Sequence, residues 1–304
     1  MLKPPQSFNN RRAIGLMVIA MSFLAASDAI LKLVGAEVPV GQMMAVRGVA
    51  HCAFLALGCW IGRQLITWHG LLHGWSILRG LAEVAATYLF ISSLALLPIA
   101  LASTLVFCFP IILTALSGPV FKERVGPWRW AAVVAGFIGV LVVTAPGTSS
   151  WQPALALPLG AALFVAIRDV STRFVRADVS DGSVSLTSAV TVLIGGLASL
   201  PFGWAPLSLF SVSWLTVAGL IIAISFFTYV MAVRTGELSL IAPVQYIVIL
   251  WALIYGLLIW GEVPGPRELI GGAIIIASGL LILHREKVQH DRLTAQQDQK
   301  ASTP

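Results

Sequence analysis

The chain of 304 residues is 58% hydrophobic and only 11% charged, with a mean hydropathy of +0.91. That leaves too little charge to cover a soluble fold of this size and excludes one. The net charge of +6 falls in short connections and tails, which fits the positive-inside bias of membrane proteins and argues against a nucleic-acid partner. Cys52, Cys59 and Cys108 all fall in apolar stretches; an odd set of such thiols without paired spacing forms neither a disulfide framework nor a metal site.

The first apolar stretch, Ala13 to Val34, is long enough to cross a bilayer, since about 20 residues rising about 1.5 Å each cover roughly 30 Å. Lys3, Arg11 and Arg12 before it imitate a secretory signal, but nine more apolar segments follow, so it reads as a retained first helix. Windows bounded by Gly, Pro and charge predict ten spans, at 13–33, 39–61, 76–97, 99–121, 128–146, 153–174, 183–204, 213–234, 238–260 and 267–284. Each is continuously apolar and about twice as long as a barrel strand, so the fold class is an all-α integral membrane protein.

Charges inside such spans are costly and mark candidate sites. In the first span Asp28 precedes Lys32 by one turn; the two can pair, or Asp28 can face a wet cavity. In the second, Arg47 and His51 lie one turn apart, and Arg47 serves either as an anion contact or as a partner of Asp28. In the third, Arg79 and Glu83 form either an internal ion pair or a carboxyl that changes protonation during transport, and Tyr88 supplies an aromatic with a hydroxyl at the midplane. The fourth carries Phe107 and Pro110, a helix-softening pair, and ends at Glu123. The sixth brings Arg168, Asp169 and Arg173, the eighth Tyr229, and the ninth Pro243, Gln245, Tyr246 and finally Glu262.

Softened helices at the midplane mark transporter sites, which makes Gln245 and Tyr246 beside Pro243 strong candidates, with Ser22 and Trp251 as secondary ones. Glu123 and Glu262 stand at helix C-termini, where a carboxylate opposes the helix dipole; each is expected to be a latch to a neighbouring Arg or to backbone N–H groups. His69 and His73 have helical metal spacing but lie in a loop without a third ligand, so no metal or cofactor is expected. Gly195-Gly196 and Gly271-Gly272 are expected at close helix contacts, or at an oligomer face.

Of the 19 Lys and Arg residues, those at 3, 11, 12, 63, 122, 124, 129, 173, 176, 234, 285, 287, 292 and 300 fall on one side when the N-terminus is cytoplasmic, so both termini are expected there. The second half echoes the first. Asp28 recurs as Asp169 and Thr87-Tyr88 as Thr228-Tyr229, while Glu123-x-x-Gly126-Pro127 recurs as Glu262-x-x-Gly265-Pro266. Two five-helix repeats follow, 13–147 and 148–284, flanked by a tail of residues 1–12 and a polar, disordered tail of 285–304. Because five is odd, the repeats are inverted.

Asp28-x-x-x-Lys32, Pro39-x-x-Gln42, Arg47, Arg79-Gly80 and Glu123-Arg-Val-Gly126 in the first half, with Ala242-Pro243 and Glu262-Val-Pro-Gly265 in the second, resemble the drug/metabolite transporter superfamily. The likeness is to its ten-helix bacterial branch built from two EamA units. It implies a central cavity among helices one, three, four, six, eight and nine, with five and ten peripheral. It also implies export of amino acids or related small metabolites across the bacterial inner membrane.

On that reading Asp28, Arg47, Glu83, Tyr88, Phe107, Arg168, Tyr229, Gln245 and Tyr246 contact substrate, and Lys32, Arg79, Pro110, Glu123, Asp169, Arg173, Pro243 and Glu262 hold or gate the helices. The partners are a small molecule and membrane lipid, with the protein a monomer or homodimer. A lipid flippase or membrane scaffold is the alternative. An intramembrane enzyme is less favoured, because the short loops offer no nucleophile with a base and no metal cluster, and no Walker sequence is present.

Overall fold

The computed structural model describes residues 10–62, 66, 73–121, 126–145, 152–175, 179–235 and 242–301, and every regular element among them is helical. Helix α1 spans Asn10–Val34, α2 Val40–Ile61 and α3 Gly74–Leu94. Helix α4 comes in two pieces, Ile99–Val106 and Phe109–Phe121. Helix α5 covers Pro127–Thr144, α6 Ala156–Arg173, α7 Asp181–Leu197 and α8 Leu209–Thr235. Among the described residues helix α9 comprises a 3-10 turn, Ala242–Tyr246, the regular helix Ile247–Tyr255 and a π segment, Gly256–Trp260; α10 runs over Pro266–Ala301. Among the described residues seven helices are long and apolar enough to cross a membrane, and Trp130–Thr144 and Val244–Trp260 are shorter apolar stretches.

The interruption of α4 at Phe107 and Cys108 follows from Pro110, which has no N–H to give the Val106 carbonyl and whose ring would collide with it. The residue one turn before Pro243, whose carbonyl it was expected to free, lies outside the described residues. Pro243 itself lies in the 3-10 turn Ala242–Tyr246 that precedes the regular helix Ile247–Tyr255, and a turn of that kind tolerates a missing N–H. The tail expected to be disordered departs from expectation, since α10 continues to Ala301. Residues 285–301 are mostly Arg, Lys, Glu, Gln, Ala and Leu with no Gly or Pro, a composition of strong helix formers.

The halves are interleaved. Helix α1 packs on α8 and α3 on α6; α2 packs on α7, and α5 on α10; α2 meets α8 as α7 meets α3, and α1 meets α9 as α6 meets α4. Adding five to each helix number maps this pattern onto itself, the mark of a pseudo-two-fold axis. The end of α1 meets the start of α4, where Lys32 reaches Leu97, while the end of α6 meets the start of α3, where Thr172 meets Arg79. Since α3 and α4 begin on opposite faces, α1 and α6 run in opposite directions. The fold is ten helices in two inverted five-helix repeats.

In lipid, helices gain little from burying apolar surface against each other, so small residues and interhelical hydrogen bonds hold them together. A Cβ on Gly196 of α7 would lie 2.5 Å from the Ala45 nitrogen of α2, and one on Gly271 of α10 2.7 Å from the Gly139 oxygen of α5. Both glycine pairs therefore mark close helix contacts within the bundle. Ser225 of α8 donates to the Ala20 carbonyl of α1 at 2.7 Å. The Gln42 amide clamps the segment between α7 and α8, donating to the Ala205 carbonyl at 2.8 Å and accepting from its N–H at 3.0 Å.

Candidate functional site

Two polar clusters join the repeats. The first lies on the face where α1 and α3 end and α4 begins, called here the distal face. The Lys32 ammonium donates to Glu262 Oε1 and, at 2.8 Å, to the Leu97 carbonyl, and it stands 5.1 Å from the centre of the Trp260 ring. The other Glu262 oxygen accepts the Ile99 N–H at 2.9 Å. Lys32 is thus partnered by Glu262 across the repeat boundary and not by Asp28 one turn away. Glu262 closes one helix but caps the first amide of another, so the dipole it meets favourably is that of α4. Gly261, at φ 68°, makes the left-handed turn that brings it there.

The second cluster is central. Arg168 of α6 donates through Nη1 to Glu83 Oε2 of α3 at 3.1 Å and through Nε to Asp169 Oδ1 at 2.8 Å. Glu83 is accordingly paired with Arg168, whereas Arg79 donates to Thr172 Oγ1 at 3.0 Å and to the Ser188 hydroxyl of α7. Arg47 of α2 sits within electrostatic range of both Asp28 and Glu83, and His51 within range of Arg47 and Glu83. On the far side, Tyr229 of α8 is hydrogen-bonded to Gln245 of α9 and lies near Asp169, Arg168 and Arg79. The side chains of Arg168, Glu83 and Asp169 keep 24%, 26% and 30% of their surface accessible although they face other helices. Ionic groups turned to lipid would be severely penalised, which favours their facing the interior of the bundle.

Asp28, Arg47, Glu83, Arg168, Tyr229 and Gln245 are therefore brought together, with Asp169 and Arg79 beside them. Tyr88 is not among them. It is half-exposed, and it lies five positions after Glu83, a rotation of about 140° around the helix. The Thr-Tyr echo consequently does not make Tyr88 and Tyr229 equivalent. Phe107, at the break in α4, packs 6.0 Å from Phe109 and 6.0 Å from Tyr246. Tyr246 is 8% exposed, and its hydroxyl abuts Gly279 of α10, so it points outward from the centre into packing. Trp251 stacks on Tyr255 at 5.6 Å, and Ser22 donates to the Val18 carbonyl at 2.7 Å. Glu123 and His69 lie outside the described residues, as do the side chains of Arg173 and Pro243.

Sequence reading missed Thr172 and Ser188 as partners of Arg79, and Gln42 as a loop clamp. Single hydroxyls on apolar helices carry no signal of which cation they meet. Among the described residues no group of three or more His, Cys, Asp and Glu could hold a metal ion.

Residues 11–145 and 152–284 each match the EamA-like transporter family. A riboflavin transporter of Vibrio cholerae is 28% identical over 219 residues, covering 70% of this chain and 72% of that one. An S-adenosylmethionine uptake transporter of Rickettsia prowazekii is 25% identical over 212 residues, covering 69% and 72%. A protein of known crystal structure superposes with a TM-score of 0.59 over 91% of this chain and 97% of its own; at 19% identity that likeness concerns the fold alone.

Proposed function

The chain belongs to the EamA-like transporter family, and we propose that it is a secondary transporter carrying a small polar metabolite across the bacterial inner membrane by alternating access. The observation that carries this reading is the central cluster. Asp28, Arg47, Glu83, Arg168, Tyr229 and Gln245 come from six helices and both repeats, at membrane depth, with accessible surface between them. A polar centre shared by two inverted repeats is what rocking of one half against the other requires, because the same groups can then be offered to either side.

In this mechanism Arg168 and Arg47 hold anionic parts of the cargo, while Tyr229 and Gln245 supply neutral hydrogen bonds. Phe107 borders them with an apolar wall. The Lys32–Glu262 latch closes the distal face and must part when that face opens. With both termini cytoplasmic, the distal face is periplasmic. Export of amino acids is what the family resemblance implied, yet the relatives above are named for riboflavin and for S-adenosylmethionine uptake. Cargo gradients, and not the fold, then set the direction.

Reconstitution of the full chain in liposomes tests this. Labelled S-adenosylmethionine, riboflavin and amino acids are supplied outside, with and without unlabelled solute inside. Saturable uptake accelerated by trapped solute is the expected result. Flux rising linearly with concentration would indicate an open pore, and no flux above empty liposomes would remove transport altogether.

A further inference from the structure

On the distal face the ends of four helices enclose a cavity of about 480 Å³, and none of its lining residues belongs to the central cluster. Part of its wall is apolar: Leu101 in the first turn of α4, Val143 in the last turn of α5 and Leu155 in the 3-10 turn before α6, all buried. The rest is polar, with Gln152 ahead of α6 and Arg267 and Glu268 in the first turn of α10. Beside it the surface turns apolar, since Leu141 of α5 and Leu269 and Ile270 of α10 are exposed, as side chains against lipid are. Glu268 gives Oε2 to the Gly265 N–H at 3.0 Å and joins no ion pair among the described residues. That amide is thereby capped, so recognition at this corner falls to side chains.

We propose that this cavity binds the headgroup of a phosphatidylethanolamine molecule from the leaflet on the distal side. Arg267 receives the phosphate, which a guanidinium matches in charge and in fork geometry. Glu268 receives the ammonium, and the first methylenes of the chains lie on Leu101, Val143 and Leu155. A cavity that is charged on one side and apolar on another, placed where helices leave the bilayer, fits a ligand with both characters. A phosphate and an ammonium two carbons apart suit a cationic and an anionic residue adjacent in sequence. An anionic lipid without an ammonium would bring like charge to Glu268, and a choline headgroup has no N–H to donate to it. Bound there, the lipid ties the starts of α4, α6 and α10 to the end of α5, so its binding is read as added stability.

The test is thermal unfolding of the delipidated full chain in detergent, titrated with phosphatidylethanolamine, phosphatidylcholine, phosphatidylglycerol and the chain-free headgroup glycerophosphoethanolamine. Phosphatidylethanolamine should raise the midpoint saturably, with the other two lipids needing at least about tenfold more and the chain-free headgroup giving no shift at the same concentrations. Glu268→Gln, whose amide oxygen can still cap Gly265, should abolish the preference for phosphatidylethanolamine over phosphatidylglycerol. Arg267→Gln should weaken all three lipids. The lipid series on the unaltered chain decides the matter even if a variant is unstable. Equal stabilisation by the three lipids, preference for either of the others, or no saturable shift overturns the proposal. So does equal potency of the chain-free headgroup, or an unchanged preference in Glu268→Gln.

Discussion

The distal and central clusters both bridge the repeats, and they differ in how fully their polar groups are used. At the distal face Lys32 has a carboxylate, a carbonyl and an aromatic ring, and both oxygens of Glu262 are engaged, with side-chain exposures of only 10% and 19%. In the centre one guanidinium serves two carboxylates, and beside it His51 Nε2 is buried without a hydrogen bond among the described residues. A completed cluster fixes geometry; an incomplete one stores recognition for something that arrives later. The same residue types thus divide into a fastening and a candidate site according to their partners.

The strongest way to break this contrast is at the cation that holds the centre together. Arg168→Gln leaves Glu83 and Asp169 without their shared counter-charge and should destabilise by about 3 kcal/mol, the low end for a broken buried pair because a quarter of the side chain is accessible. Thermal unfolding in detergent measures it, with Arg168→Lys recovering part; an unchanged midpoint would refute the assignment. Next comes the distal latch. Glu262→Ala strands both Lys32 and the Ile99 N–H and should cost about 2 kcal/mol, whereas Glu262→Gln keeps an acceptor for that amide and should cost about half as much. Equal losses in the two variants would mean that the amide contact contributes nothing.

Gln245→Ala sharpens the comparison on its open side. Loss of one substrate hydrogen bond should slow uptake about tenfold, near 1.4 kcal/mol, with the yield of folded protein unchanged. Loss of folded protein in proportion would return Gln245 to packing. The smallest effect is expected for Tyr88→Phe, within about 0.5 kcal/mol in stability and without change in uptake, because that side chain is half-exposed and stands about 140° around the helix from Glu83. A clear fall in uptake would restore Tyr88 to the site.

The charged members of the site were legible because a membrane makes every ionic residue conspicuous. Asp28, Arg47, Glu83 and Arg168 stand out from apolar surroundings in the bare sequence. The aromatic members were not, since Tyr88, Tyr229 and Tyr246 look alike in sequence. Only packing separates one left half-exposed, one bonded to Gln245 and one pressed against Gly279. Pairing was equally hidden. One-turn spacing offered Asp28 to Lys32 and Glu83 to Arg79, and in both cases the base found its partner in the other repeat.

Sequence by itself determined the class, the ten spans, the duplication and its inversion, because bilayer thickness, charge cost and an odd helix count act locally or by simple counting. Only tertiary structure decided which charge meets which, since interleaving the repeats sets α3 against α6 across 85 positions and the end of α9 against the start of α4 across 163. Through-space attraction between ionic groups in a low-dielectric interior depends on that juxtaposition and not on distance along the chain.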